Sequence, residues 1–588
     1  MENEGESRRL WQDRLVSNTE NVNKLINETG LSPLVVQVCV NRGLGSTEEI
    51  LNFLSPKLEN LKDPYSIKDM DLAIDRMVLA RQNQEKVRVF GDYDVDGTTA
   101  ASLLALILKE FGFQFDVRQP DRFKDGYGLN VGAVENAVQD GISLLITVDT
   151  GITSFDAAKK ANELGLDLII IDHHQVDSVR GMPKALAVLD PQRPDCQSGL
   201  KELCGCGLAF YFARALRTRG KSENWWPGGK EPNLKQHLDL VVIATSADMV
   251  PLVGDNHILT RHGLSVLEVT QKPGVKALLE VSGLSKKNLS PSHLGFILGP
   301  RINASGRMSH ASLAFELLTT DDVIRASEIA LEIEKLNRER AQVQDTIWED
   351  VKLKVEEGIK QGRFLHAVVV GNANWHEGVI GIVASRVVET FQKPTVIISF
   401  RDEIGKGSVR SCFGKDVLLA LRLSAKYLKS FGGHKYAAGL SIDKGQCDSF
   451  CEAFNQALSQ IPEDLELKPL VIEGSCSVEE LNFKTFRELE SLGPFGPGNS
   501  EIIFRVKAMA TSHQILKGKH IKFRLSSIDL NMKKYTQKYI NAIWFHALDH
   551  EQEFSFLKNV KEWACIPELN RYGGFVTPTL RIKDFKKI

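Results

Sequence analysis

From Lys86 to His174 the chain alternates short apolar runs with helical stretches, and this alternation restricts the possible folds more than any other feature. VRVF precedes the loop GDYDVDG and the helical TTAASLLALILKEFG. FQFDVRQ, LLITV and DLIII follow as further runs, with the helical FDAAKKANELG between the last two. Runs that are apolar at nearly every position leave no face for water, so they predict strands of a parallel sheet covered by helices on both faces. In such sheets ligands bind in the crevice beyond the carboxyl ends of the strands.

Those strand ends carry candidate metal ligands. Asp92, Asp94 and Asp96 follow VRVF, Asp149 follows LLITV, and Asp172, His173 and His174 follow DLIII. Neighbouring strands lie about 4.8 Å apart, so these side chains converge in one small volume. Carboxylates that close cannot all stay ionised without cations between them. A mixed Asp/His set without cysteine predicts two divalent cations, Mn²⁺ or Mg²⁺, and not structural zinc. Two such ions about 3.5–4 Å apart suit phosphoryl hydrolysis, since they activate a shared water and clamp phosphate oxygens. One aspartate after a strand is more often a helix cap. Donors at several strand ends together favour the metal.

A hydrophobic fraction of 43% with 25% charged residues describes a globular chain, and 588 residues call for several domains. No apolar run reaches the roughly 18 residues of a membrane span, and MENEGESRRL does not read as a signal peptide. Nine scattered cysteines fit reduced thiols, hence a cytoplasmic protein. The net charge of −2 is uneven: residues 501–588 hold 16 Lys/Arg against 8 Asp/Glu, a local +8 that leaves −10 elsewhere. A basic end suggests a docked polyanion, although a solvated lysine-rich face fits equally well.

The expected organisation is a helical lead-in (1–77), a parallel-sheet α/β domain (78–310), a long connecting helix (311–360), a second α/β domain (361–460) and a small OB-like β-barrel (461–588). The helix is expected because the stretch from Asp321 runs far beyond roughly 25 residues without Gly or Pro until its end. The barrel is expected from the short alternating runs FRVKAMA, HIKFRLSSI, YINAIWF and TLRIKDF.

GDYDVDG, TVDTGI, IDHHQ and SADMVPL resemble the motifs of the DHH phosphoesterase family. PDRFKDGYGL, LGPRINASGRM, WHEGVIGIVASRV, GGHKYAAGL and GPFGPGNSEIIF are similar to signatures of its RecJ branch of single-strand-specific DNA exonucleases. The resemblance spans nearly the whole chain. It implies a parallel-sheet DHH domain, a DHH-associated domain and 5′→3′ degradation of single-stranded DNA to mononucleotides in repair and recombination. Carried over by motif, Asp94, Asp96, Asp149, His173 and Asp248 are metal ligands, with Asp149 bridging. Asp172 stands behind the histidines, His174 contacts the scissile phosphate or leaving group, and Asp92 orients the loop or a metal-bound water. Single-strand-binding protein and a helicase are implied as partners, and the chain is expected to act as a monomer. Phe90 stands where some members have a ligating histidine, Thr150 replaces a frequent asparagine, and His257 and Val409 also depart from common patterns. Shorter nanoRNases, cyclic-dinucleotide phosphodiesterases, manganese pyrophosphatases and an inactive DNA-binding scaffold are the alternatives.

Several further residues are candidates for substrate contact. Arg122 offers a planar fork for phosphate, and Tyr127 either stacks a base or packs a turn. Arg301, Asn303 and Arg307 either grip the DNA backbone or form an interdomain ion pair. Gly432, Gly433 and His434 form an expected tight turn able to approach phosphate, with Ser408, Arg410 and Ser411 as added donors. His376 is a lesser candidate. Cys204/Cys206 and Cys447/Cys451 are assigned to structure. Lys517, Lys519, Lys522 and Arg524, interleaved with His520 and Phe523, suit single-stranded nucleic acid on a barrel strand.

Overall fold

The structure is a computed structural model that describes residues 10–14, 19–122, 126, 128–285, 288–463, 469–529, 534–547, 560–572 and 574–587. Strands β1 (Lys86–Gly91), β2 (Gln114–Arg118), β3 (Leu144–Val148), β4 (Asp167–Ile171) and β5 (Ala187–Leu189) form one parallel sheet in the order β2-β1-β3-β4-β5. The order reverses between β1 and β3, which makes the crevice beyond their carboxyl ends a topological switch point.

Side chains alternate across this sheet. Val87, Val89, Leu144, Ile146, Val148, Ile169 and Ile171 enter one core with helices α1 (Val95–Glu110), α2 (Gly205–Ser222) and α3 (Leu238–Ala247). Phe90, Leu145, Leu168 and Ile170 enter another, under helices Val131–Gln139 and Phe155–Glu163. Both faces are therefore dry, as near-continuous apolar strands require.

Helix α4 (Gly299–Met308) leads on to α5 (Val323–Lys360), which has 38 residues and so runs about 57 Å. Asp322 caps α5 by accepting hydrogen bonds from the N–H groups of Ile324 and Arg325. Its first half packs Ala326, Ile329, Ala330 and Ile333 into the core of the parallel sheet, and its second half packs Ile347, Trp348, Val351 and Val355 into the next domain. That domain is a sheet of β6 (Val368–Asn372), β7 (Thr395–Arg401), β8 (Ile404–Arg410), β9 (Ser430–His434) and β10 (Ala437–Asp443), ordered β9-β10-β8-β7-β6 with only β6 and β7 parallel. Gly432, Gly433 and His434 are thus strand residues and not the expected tight turn; the hairpin turns at Lys435-Tyr436. Gly433 has φ +142°, and a Cβ there would lie 2.4 Å from the Ala437 carbonyl oxygen.

The C-terminal domain is a seven-stranded sheet that joins Gly474–Cys476, Phe504–Lys507, Val560–Tyr572, Phe575–Lys587, Lys534–Trp544, His520–Asp529 and Met509–Leu516 in that order. The lead-in is not one unit. Val35, Val36, Val38 and Ile50 share a core with Phe504, Phe523 and Trp563, whereas Leu61, Ile67 and Met70 belong to the core of the parallel sheet. Helices of 8–11 residues bury too little surface on their own, so they complete the C-terminal domain.

Candidate active site

The loop after β1 is closed by a glycine. A Cβ at Gly97 would lie 2.6 Å from the Asp92 backbone nitrogen, so only glycine lets α1 start this close to the strand end. Asp94 is the N-cap, accepting from the Gly97 N–H at 3.1 Å. Asp96, in the first turn of α1, accepts from the Gly205 and Cys206 N–H groups at 2.6 and 2.8 Å. The N-terminus of α2, with its partial positive charge, thereby holds a buried carboxylate in place. A Cβ at Gly205 would sit 2.7 Å from the Asp149 Cβ. Asp149 has φ +59°, a left-handed conformation that costs a non-glycine residue free energy and often marks a functional site.

The histidines come from the end of β4. His173 Nε2 lies 3.2 Å from Asp149 Oδ1, 3.7 Å from Asp96 Oδ2 and 3.8 Å from Asp248 Oδ2, with Asp248 just beyond α3. His174 Nδ1 is 2.7 Å from Asp172 Oδ1, and Asp172 also accepts from the Ile152 and His173 N–H groups. Asp172 is thus saturated and orients the second imidazole. Three groups each place their donor atoms within 4.8 Å of one another: Asp92, Asp94 and Asp149; Asp96, His173 and Asp248; Asp149, His173 and His174. Asp149 links the first group to the third.

The electrostatics test whether cations fit. Burial, then neighbouring carboxylates, push Asp92 and Asp149 well above the usual aspartate range. Asp248 is raised to about 8 by burial and then by Asp96 and Asp94. Asp92 Oδ1 and Asp149 Oδ1 are buried without a hydrogen bond; His173 is close to the latter but lacks hydrogen-bond geometry. Orphaned carboxylate oxygens aimed into one pocket with an imidazole, and no thiolate, fit hard divalent cations. Burial lifts the Cys204 and Cys206 thiols far above their normal range, so they stay protonated beside Asp96. For His174, burial opposes the charge, but Asp172 and the surrounding carboxylates outweigh it and raise the ring to about 9.

Three contributions escaped the sequence reading. Asp190 follows β5, buried with one oxygen unpartnered; burial pushes it up to about 8, with Asp172 among its charged neighbours. Gln119, after β2, donates to the Asp92 carbonyl at 2.8 Å and steadies the aspartate-bearing loop. Gly205 and Cys206 act through their backbone. The repeat of strand followed by Asp in AVLD was a usable signal; the α2 contact was not, since it joins segments more than 100 residues apart.

Beside the aspartate and histidine cluster, between the two α/β domains, lies a cleft of about 450 Å³ lined by Arg122, Arg307, Ser408 and Arg410 among others. Arg307 donates to the Gly378 carbonyl at 2.9 Å, and burial, then Arg122 and Arg340, lower it to about 10. Arg410 Nη1 donates to Ser408 Oγ at 3.1 Å, and the Arg122 guanidinium lies 5.1 Å from the centroid of the Tyr93 ring. Glu377 in the same cleft is engaged by Arg401 and Lys406. Guanidinium groups gathered in this way attract an anion. His434 is surface-exposed on β9, where partial desolvation, then Arg410 and His174, lower its pKa.

Other candidates stand elsewhere. Arg301 pairs with Glu334 at 2.7 Å on the half of α5 that packs into the first domain, so the pair does not join the two α/β domains. Asn303 is half-buried on α4. Ser411 donates to the Lys415 carbonyl, a local role. His376 Nδ1 accepts from the Gly378 N–H. Phe523 is fully buried in the C-terminal core, which corrects its reading as a stacking residue: inward positions of this strand are apolar, and Lys522 and Arg524 take the outward ones. Lys517 and Lys519 lie in the preceding turn. Phe90 packs in the core under the sheet and offers no donor, Thr150 and Val409 are buried, and His257 stacks on Phe53 at 4.2 Å. Tyr127 lies outside the described residues.

Family models match in the same chain order: the DHH family N-terminal domain over residues 86–245, the DHHA1 domain over 361–460 and the RecJ OB domain over 472–584. The chain is 36% identical to the single-stranded-DNA-specific exonuclease RecJ of Bacillus subtilis, over 81% of this chain and 59% of that protein's length. It is 32% identical to the protein of the same name in Haemophilus influenzae, over 81% of this chain and 84% of the relative. The crystal structure of Thermus thermophilus RecJ with Mn²⁺ superposes with a TM-score of 0.80 and 25% identity, over 98% of this chain and 80% of that one. With its ligand-bearing switch point, its arginine-lined cleft and these matches, the chain belongs to the RecJ family, a branch of the DHH family.

Proposed function

We propose that this protein is a metal-dependent exonuclease that hydrolyses single-stranded DNA from the 5′ end to mononucleotides, in repair and recombination. The observation that carries the reading is the convergence of Asp92, Asp94, Asp96, Asp149, His173, His174 and Asp248 at one sheet crevice, with orphaned buried oxygens, beside an arginine-lined cleft. Two divalent cations held by Asp94, Asp96, Asp149, His173 and Asp248 would activate water and neutralise charge on the scissile phosphate.

The chain's own groups supply the rest. Arg122, Arg307 and Arg410 bind and orient the phosphates, with His434 closing from the second domain. Asp172 accepts from the His174 Nδ1–H and, with the other carboxylates, raises the ring to about 9, so the imidazolium also carries an Nε2 proton that it can donate to the phosphate. Lys522 and Arg524 on the outer face of the C-terminal sheet add a second contact with the strand. The protein is read as a cytoplasmic monomer that works beside single-strand-binding protein and a helicase; among the described residues no helix is long and apolar enough to cross a membrane. Single strands labelled at either end, incubated with Mn²⁺, Mg²⁺ or EDTA, test the reading. Labelled mononucleotide released at once from the 5′ end, and only with metal, is expected. Early release from the 3′ end overturns the polarity, and turnover in EDTA overturns the metal dependence.

A further inference from the structure

The helical segment 294–308 crosses the site with three differently used faces. Its first turn, Leu294–Leu298, is a wide i→i+5 turn that continues into α4. One face is pressed on the ligand-bearing segments: a Cβ at Gly295 would lie 2.7 Å from the Ser246 carbonyl oxygen, just before Asp248, and one at Gly306 would lie 3.2 Å from the Tyr93 carbonyl oxygen. A second face meets α5, where Arg301 pairs with Glu334 and donates at 2.8 Å to the Ile297 carbonyl. Residues 296, 300, 303 and 307, spaced four, three and four apart, share the third face.

That third face stays accessible. Arg307 ends it in the arginine-lined cleft, Asn303 and Pro300 are half-buried, and Phe296 is 67% exposed while Leu294 and Leu298 beside it are fully buried. A lone surface phenylalanine needs no explanation. This one stands on a wide turn anchored against the Asp248 segment, about 16 Å from Arg307 along the helix. Just before it, Ser290, Pro291 and Ser292 line a groove of about 740 Å³ against the C-terminal domain.

We propose that this face is a nucleotide-binding surface on which Phe296 stacks a base of the single strand, a few nucleotides behind the one held at the metals. The proposal rests on the nuclease reading and adds to it a recognition element with no sequence preference. A guanidinium cleft followed by an exposed aromatic is the pairing that grips single strands, phosphate by charge and base by its flat face. An aromatic there holds the strand in line between successive cleavages.

The test is binding in EDTA, where no cleavage intervenes. 5′-Phosphorylated oligonucleotides, each with one abasic residue at a different position, are titrated by fluorescence anisotropy. Wild type is expected to lose about 5- to 100-fold in affinity for an abasic residue at one particular position near the 5′ end. Phe296→Ala and Phe296→Leu should weaken binding of the intact strand by a similar factor and abolish that position's penalty, while Phe296→Trp should keep both. Unchanged melting temperatures are expected for a side chain this exposed. A flat abasic profile in wild type, or a leucine variant that binds like phenylalanine, overturns the proposal. Cleavage of single strands alongside such a result leaves the nuclease reading standing, and absence of both binding and cleavage brings that reading down first.

Discussion

At the scale of single residues, the site depends on close approach as much as on its acids. Gly205 has room for a hydrogen only, since its missing Cβ would meet Asp149. Gly205→Ala is expected to displace Asp149 and cut turnover by more than about tenfold. The global cost should stay near the roughly 1–3 kcal/mol of ordinary overpacking. A variant with lost stability and unchanged turnover would show that α2 does not position the ligand. Asp172→Asn is expected to lower kcat by about 10–100-fold with strand affinity kept, because Asp172 orients the His174 ring and the backbone of Ile152 and His173 and is itself buried; an equal fall in affinity would contradict that role. The acids themselves were legible in the sequence, as polar residues directly after apolar strands. Gly205, Cys206 and Gln119 were not, because a backbone N–H or a carbonyl contact leaves no mark on residue type.

At the scale of elements, the strands and helices were readable wherever burial imposed a period. The apolar runs of β1, β3 and β4 and the unbroken stretch of α5 appear where periodicity puts them. Gly432, Gly433 and His434 lie in strand β9 and not in a turn; a glycine pair in an edge strand looks like a turn until its partner strand is known. Edge strand β2 is held by charge: Arg88, buried on the neighbouring β1, donates to Asp116 at 2.7 and 2.8 Å and to Asp140 at 2.7 Å. For Asp116, burial raises the pKa, but the hydrogen bonds from Arg88 and Lys86 outweigh it and leave it below the usual aspartate value. A depressed folded value contributes stability that is full above the unfolded pKa of about 3.9 and fades as pH falls through the folded value. Asp116→Asn should therefore destabilise the protein at pH 7, by less than the roughly 3–5 kcal/mol of a broken buried pair because Asp140 remains. The difference from wild type should vanish well below pH 3.9. Urea unfolding across that range measures it, and a pH-independent difference would assign the effect to packing.

At the scale of the whole molecule, two long-range closures join distant parts of the chain. The helices of residues 19–54 complete the C-terminal domain, and the Leu252 N–H donates to the Pro497 carbonyl at 2.7 Å just beyond Asp248. Removing residues after Pro462 alone should uncover Val35, Val36 and Val38 and produce aggregation. Removing residues before Lys57 as well should restore a soluble chain that cleaves very short strands but binds long ones weakly; size-exclusion chromatography and cleavage by strand length report both. Equal losses on short and long strands would argue against a separate docking role for the C-terminal domain. The amino-acid order by itself determined the parallel sheet, the ligand-bearing strand ends and the family motifs, because apolar period and side-chain chemistry are local properties of the chain. Only the tertiary structure decided which core receives the first helices, which helix terminus holds Asp96, that Phe523 faces inward and that Phe296 faces out. Those outcomes depend on which distant surfaces exclude water together, and no local pattern encodes that choice.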